Sequence, residues 1–244
     1  MINTIIQGDC LEVMKDIPDN SIDMVLCDLP YNITKFNWDT PIDLSILWQH
    51  YDRIIKDGGP IILTASQPFT TGLIQSGIKL FKYELIWSKP QGGMPGIAKY
   101  RPMPSHESIL VFGKGRLTYN PQMSEGDEWH RIERVKGKQV KEWNLYGKNK
   151  DVIKSGKGRY PKSVIQLKYS RAECKYHPTQ KPLILFKYLI LTYTNPGNTV
   201  LDNAIGSGTT AIAALETNRQ YIGIELDPII YKTTLKRIDD YMNL

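Results

Sequence analysis

The chain has 244 residues and a formal charge of +6, with 41% apolar and 23% charged residues. That length holds one α/β domain with an insert of about fifty residues, and the balance excludes collagen-like, coiled-coil and wholly disordered chains. No apolar run approaches the roughly 20 residues that span a bilayer, and the N-terminus lacks a basic stretch followed by a long apolar one, so a cytoplasmic location is expected.

Short runs rich in β-branched residues alternate with amphipathic stretches, the pattern of an α/β sheet. Strands are predicted at Asn3–Gln7, Ile22–Cys27, Pro60–Thr64, Tyr83–Ser88, Glu107–Phe112, Thr199–Asn203 and Gln220–Ile224. Between the second and third, Leu44, Leu47, Tyr51, Ile54 and Ile55 form one helical stripe that Gly58-Gly59 ends, which makes Asp43–Lys56 a crossover helix. Only the Gly/Pro-rich stretch Pro90–Pro104 joins Tyr83–Ser88 to Glu107–Phe112, so these two strands are expected to pair antiparallel at a sheet edge.

From about Lys114 to Lys162 the composition changes: charged, Gly-rich, with Trp129 and Trp143 and little periodicity, the look of an insertion rather than of sheet. Residues 114–175 hold 16 Lys/Arg against 7 Asp/Glu, or +9, while the other 182 residues hold 15 against 18, or −3. A nearly neutral body with one basic segment suits a protein that meets phosphates on one face. Beyond it, Pro182 stands where a helix would start, and Leu183–Leu191 is apolar nearly all round, so that helix is expected to be buried. Cys10, Cys27 and Cys174 are too few and scattered for a disulfide frame. Cys174-x-x-His177 has the look of half a metal site, but no second pair accompanies it, and no metal is expected.

Two turns carry candidate chemistry. In Leu201-Asp202-Asn203-Ala204-Ile205-Gly206-Ser207-Gly208-Thr209-Thr210-Ala211, glycines sit between a strand and a helix, where the backbone can turn sharply and its amides favour an anionic group. At the end of the next strand, Glu225 offers a carboxylate to two ribose hydroxyls, so the pair of features indicates a nucleoside cofactor. NAD is disfavoured because only one strand and two helices follow the glycines, and a nucleoside triphosphate would want Lys where Thr209-Thr210 stands. S-adenosylmethionine, without phosphates, fits a compact site.

The other turn ends the second strand with Asp28-Leu29-Pro30-Tyr31. Pro30 stiffens the backbone, Asp28 supplies a charged acceptor and Tyr31 a flat face for a base, so the turn forms a receptor for the amino group of a heterocycle.

Asp28-Leu29-Pro30-Tyr31 resembles the [Asp/Asn/Ser]-Pro-Pro-aromatic tetrapeptide of the amino-methylating DNA methyltransferases, with Leu29 in place of the first Pro. Four further blocks are similar to that family: Gly8-Asp9-Cys10, His177-Pro178-Thr179-Gln180-Lys181-Pro182, Asp202–Gly208 and Gly223-Ile224-Glu225. Catalytic tetrapeptide first, basic insert second and cofactor turn last is the order of the family's β group.

The resemblance implies a circularly permuted, Rossmann-like methyltransferase sheet of seven strands. Residues 1–113 would form its catalytic half, 114–163 an inserted target-recognition segment and 164–244 the cofactor-binding half. It implies transfer of a methyl group from S-adenosylmethionine to the exocyclic amino group of a flipped base in double-stranded DNA. Asp28, Pro30 and Tyr31 would be catalytic; Asp9, Cys10, Asp28, Thr179, Lys181, Asp202, Ala204, Gly206, Gly208, Thr209 and Glu225 would hold the cofactor. Asp at the head of the tetrapeptide resembles the adenine-N6 branch more than the cytosine-N4 branch. Ala204 stands where the family often has Phe. Cytosine-N4 methylation, methylation of glutamine side chains or RNA, and a catalytically silent DNA-binding module are the competing readings. The sequence fixes no oligomeric state, and a homodimer is compatible with it.

Overall fold

The computed structural model describes residues 2–31, 41–135, 139–140, 145–146, 150–169 and 180–243. In chain order the elements are β1 (Thr4–Gln7), α1 (Cys10–Val13), β2 (Met24–Cys27), α2 (Leu44–Ile54), β3 (Pro60–Ala65), α3 (Phe69–Ser76), β4 (Phe81–Ser88) and β5 (His106–Gly113). There follow β6 (Ser124–Val135), β7 (Gln139–Val140), β8 (Leu145–Tyr146), β9 (Lys150–Arg159), β10 (Val164–Gln166), α4 (Leu183–Tyr193), β11 (Thr199–Asp202), α5 (Thr209–Glu216), β12 (Gln220–Glu225) and α6 (Pro228–Met242). The chain divides into a main unit, Met1–Asn120 with Ser163–Leu244, and a smaller one, Pro121–Lys162.

The main unit is built on an eight-stranded sheet in the order β1-β12-β11-β2-β3-β5-β4-β10, in which β5 runs antiparallel to its two neighbours and every other pair is parallel. All seven expected strands are in it, and β4 pairs antiparallel with β5 as the missing crossover helix requires. The eighth, β10, adds parallel to the outer side of β4 through Val164↔Ile86 and Ile165↔Trp87, so β4 is not the edge strand. With three residues, β10 is too short to show a period.

Helices cover both faces, which is why the central strands are buried on both sides. Met24 and Leu26 of β2 face a core shared with Leu185, Phe186, Leu189 and Ile190 of α4 and Ala211 and Ala214 of α5. Val25 and Cys27 face the opposite core, with Leu47, Tyr51 and Ile54 of α2. Burying each such large apolar side chain stabilises the fold by about 1.5–3 kcal/mol. Asp43 starts α2 by accepting hydrogen bonds from Ser45 N at 2.8 Å and Ile46 N at 3.2 Å, the arrangement of an N-cap.

The smaller unit contains an antiparallel ribbon, β6 with β9, in register through Ile132↔Ile153. From its sequence the segment looks like an insertion rather than sheet. A charged ribbon shows no alternation of apolar residues, and the backbone bonds that hold it leave no mark in composition.

No helix among the described residues is long and apolar enough to cross a membrane. What positions the site is the junction of β11 and β2, parallel neighbours through Val200↔Met24 and Leu201↔Val25. From β11 the sheet continues to β12 on one side, and from β2 to β3 on the other, so the loops beyond the C-terminal ends of these strands part and leave a crevice.

Candidate active site

Asp28 follows β2 directly and stands at the mouth of that crevice. Its Oδ1 accepts hydrogen bonds from the Tyr31 hydroxyl at 2.7 Å and from the Thr64 hydroxyl at the end of β3, while its Oδ2 receives the Lys181 ammonium at 2.5 Å. Lys181 also lies 3.4 Å from Oε2 of Glu107, and the other oxygen of Glu107 takes the Lys89 ammonium. The result is a partly buried row of alternating charge, Asp28, Lys181, Glu107 and Lys89, drawn from four parts of the chain. Burial opposes the charge on Lys181, but the Asp28 and Glu107 carboxylates outweigh it and push its pKa up to about 12.

Tyr31 stacks on Phe69 with ring centroids 5.2 Å apart and planes inclined by 27°. The Lys181 ammonium sits 5.8 Å from the Tyr31 ring centre. Burial, and next the Asp28 carboxylate, hold the Tyr31 hydroxyl well above the usual phenol range, so it stays a donor to Asp28. Beside these rings lies an apolar hollow of about 340 Å³ lined by Leu29, Pro30, Tyr31, Ile42, Pro68 and Phe69. An apolar slot with acceptors at one end is a shape that takes a flat heterocycle edge-on.

Across the crevice, the turn after β11 is organised by its own backbone. Gly206 N donates to Oε2 of Glu225 at 2.9 Å and Asp227 N donates to Oε1 at 2.9 Å, so each carboxylate oxygen is fixed and each keeps a lone pair for a further donor. Burial raises the Glu225 pKa. Gly206 (φ +53°) and Gly208 (φ +83°) adopt the left-handed conformation. At Gly208 an added Cβ would lie 2.9 Å from Thr234 Cγ2, whereas at Gly206 the nearest atom would be Ala204 O at 3.9 Å, which leaves that side of the turn open. Thr210 donates to Asp202 Oδ2, and Ala204 N donates to Oδ1 at 3.2 Å. Burial pushes the Asp202 pKa up to about 7 against these bonds.

Asp9 caps α1 through Leu11 N at 2.8 Å, and Gly8 N donates to Glu225 O at 2.9 Å, which fixes the Asp9-Cys10 turn beside Glu225. Cys10 lies against Asn203, whose Nδ2 is 3.6 Å from its sulfur, and Asn203 Oδ1 accepts the Tyr51 hydroxyl at 2.5 Å. Burial pushes the Cys10 thiol up to about 11, so it packs as a neutral group. The turns after β2 and β11 therefore open into one crevice, and Lys181 ties them: its side chain reaches Asp28, and its carbonyl lies 3.5 Å from the Thr209 hydroxyl.

Of the residues expected to act, Asp28, Pro30 and Tyr31 meet at one end of the crevice; Asp9, Cys10, Asp202, Ala204, Gly206, Gly208, Thr209 and Glu225 gather along the other. Thr179 lies outside the described residues. Lys181, expected at the cofactor, has its ammonium on Asp28, which is expected to take part in both roles. Thr64, Glu107, Phe69 and Lys89 were not singled out from sequence, although Glu107 and Lys89 close the two strands whose pairing was expected.

The arrangement fits a nucleoside donor of the S-adenosylmethionine kind: the twin-oxygen acceptor at Glu225 suits a ribose, and the open face at Gly206 lets a chain approach the backbone. A family model described as DNA methylase, for N6/N4 methyltransferases, matches residues 22–236. The chain is 34% identical to the DNA adenine methyltransferase YhdJ of Escherichia coli K12, over 97% of this chain and 82% of that protein. Among solved structures, the M1.HpyAVI–SAM complex superposes with a TM-score of 0.65 at 22% identity, covering 96% of this chain and 98% of the other. The cytosine-N4-specific PvuII DNA methyltransferase gives 0.65 at 18%, covering 96% and 85%. At these identities the structural likenesses establish the fold.

Proposed function

Because the chain belongs to the N6/N4 DNA methylase family, and so is an S-adenosylmethionine-dependent DNA methyltransferase, we propose that the Asp28 turn methylates the N6 amino group of adenine in duplex DNA. Asp at position 28 supports adenine, as does the 34% identical relative named for adenine.

S-adenosylmethionine, when bound, supplies an electrophilic methyl group. The chain's own task is to deliver a nitrogen lone pair in line with it. An exocyclic amino nitrogen is delocalised into its ring and is a poor nucleophile. Asp28 Oδ2, which keeps one lone pair beside Lys181, and the backbone carbonyl of Leu29 or Pro30 accept its two N–H bonds and draw it toward tetrahedral geometry. Tyr31 and Phe69 hold the ring in the apolar hollow. As the N–C bond forms, the donor's S–CH3 bond would break to leave a neutral thioether, and the nitrogen would pass one proton to Asp28 Oδ2, so the product is a neutral methylamino group. Asp202, Glu225 and the Gly206–Gly208 turn bind the donor, with Asp9 and Cys10 beside them. The target amino group is buried in a duplex, so the nucleotide is extruded at a cost of a few kcal/mol, and phosphate contacts from the basic segment 114–163, the target-recognition part, offset it.

One observation carries this reading: a stiff acidic turn with aromatic walls and a glycine turn with a ribose acceptor share the crevice at the β11/β2 junction. Tritium-methyl transfer onto duplex DNA tests it. Asp28→Ala is expected to lower transfer by about 10³ or more with cofactor binding retained. Unchanged turnover would refute Asp28 as the acceptor, and label recovered in cytosine instead of adenine would move the target to N4.

A further inference from the structure

The connection between β4 and β5 plays no part in the mechanism above, yet it leaves the sheet at the catalytic end. β4 runs parallel to β3 with β5 antiparallel between them, so Ser88 ends where Ala65 and Cys27 end. At its root, Lys89 and Glu107 are the outer pair of the charge row that reaches Asp28 through Lys181. The hairpin is also stiff. Lys89 N donates to Ser105 O at 2.7 Å and Gly93 N to Pro104 O at 2.8 Å, extending the ladder; Tyr100 N at 2.9 Å and Arg101 N at 3.1 Å both donate to Ile97 O. Pro90, Pro95, Pro102 and Pro104 restrict what remains.

The tip holds large apolar groups out in solvent: Tyr100 is 87% exposed and Met94 59%. Residues 89–105 contain no Asp or Glu. Lys99 and Arg101 flank Tyr100, both are exposed, and neither has an ion-pair partner among the described residues. A ring between two exposed cations, on a stiff arm rooted beside the acceptor of the target, matches a base step between two phosphates.

Resting on the DNA methyltransferase reading, we propose that this hairpin tip is a second DNA contact, in which Tyr100 enters the stack where the target nucleotide leaves it, while Lys99 and Arg101 take the phosphates on either side. Extrusion leaves a base-sized gap with two unstacked neighbours, and an inserted ring restores part of the lost stacking.

The test uses the full chain, tritiated S-adenosylmethionine, unmethylated plasmid DNA, and a short fluorescent duplex with or without one abasic site. Tyr100→Ala is expected to slow transfer at saturating DNA about tenfold, the worth of one stacked base, and to abolish a preference for the abasic duplex, whereas Tyr100→Phe keeps both. Lys99→Gln with Arg101→Gln is expected to raise the KM for DNA and to flatten the slope of log affinity against log salt by about two. Cofactor titration unchanged in all three verifies the fold. A Tyr100→Ala rate and abasic preference equal to wild type, or an unchanged salt slope in the double variant, overturns the proposal. Those results with wild-type transfer intact sink the hairpin alone; a wild-type chain that methylates no DNA sinks the reading beneath it.

Discussion

The two turns that face each other across the crevice are held in different ways. The turn after β11, proposed to hold the cofactor, is fixed mainly by its own neighbourhood: glycines in the left-handed conformation, and the amides of Gly206 and Asp227 on Glu225. The Asp28 turn, proposed to be catalytic, is fixed by side chains brought from far along the chain, with Thr64 36 residues and Lys181 153 residues from Asp28. A site that must recognise a backbone-sized ligand can be built from local backbone. One that must hold a carboxylate in a single orientation beside a reacting nitrogen needs partners on every side, and in a parallel sheet those partners come from different strand ends.

This contrast is broken most forcefully at Lys181. Lys181→Met removes the cation between two carboxylates and leaves both short of a partner, so transfer is expected to fall about a hundredfold, in kcat rather than in cofactor affinity. A rise in the cofactor dissociation constant of the same size, with kcat unchanged, would return Lys181 to the cofactor side of the crevice. Glu225→Gln should do the reverse. It exchanges one ribose acceptor for a donor, and cofactor affinity by titration is expected to drop about tenfold while turnover at saturating cofactor stays nearly level. Thr64→Val is the milder probe of the catalytic turn. Asp28 keeps Tyr31 and Lys181 but loses one donor, and kcat should fall about fivefold; an effect on cofactor binding instead would mean that the two turns are not separately held.

The same contrast explains what could be read from the chain alone. Gly206, Gly208 and Glu225 announce themselves because local backbone chemistry demands particular residues at close spacing. Asp28-Leu29-Pro30-Tyr31 does so for the same reason, and α2 was legible because Leu47, Tyr51 and Ile54 repeat with the helical period. The partners of Asp28 were not legible: Thr64 looks like any strand threonine and Glu107 like a polar residue at a strand start, since their roles arise only when β3 and β5 are paired. That Lys181 reaches Asp28 was not legible either, because adjacency to Pro182 and α4 says where a residue begins its side chain and not where a long, flexible one ends. β10 and the ribbon of β6 with β9 escaped because neither carries an apolar alternation.

Asp202 offers the finest test, since it belongs to the cofactor turn yet is held by the Thr210 side chain as well as by backbone. Burial pushes its pKa up to about 7 from the ordinary 3.8. Between those values the folded protein keeps a proton that the unfolded chain has lost, so this group's contribution to stability is full at low pH and is lost as pH rises through about 7. Asp202→Asn cannot titrate. Between pH 6 and 7.5 the wild type should therefore lose about 1 kcal/mol relative to the variant, which for a chain of this size is about 2–4 °C in the difference of Tm values. A difference that stays flat, or that moves in favour of the wild type as pH rises, would mean that Asp202 is already ionised in the folded state. The hydrogen bonds from Thr210 and Ala204 would then outweigh its burial, and the cofactor turn would carry a fixed negative charge beside Asp28.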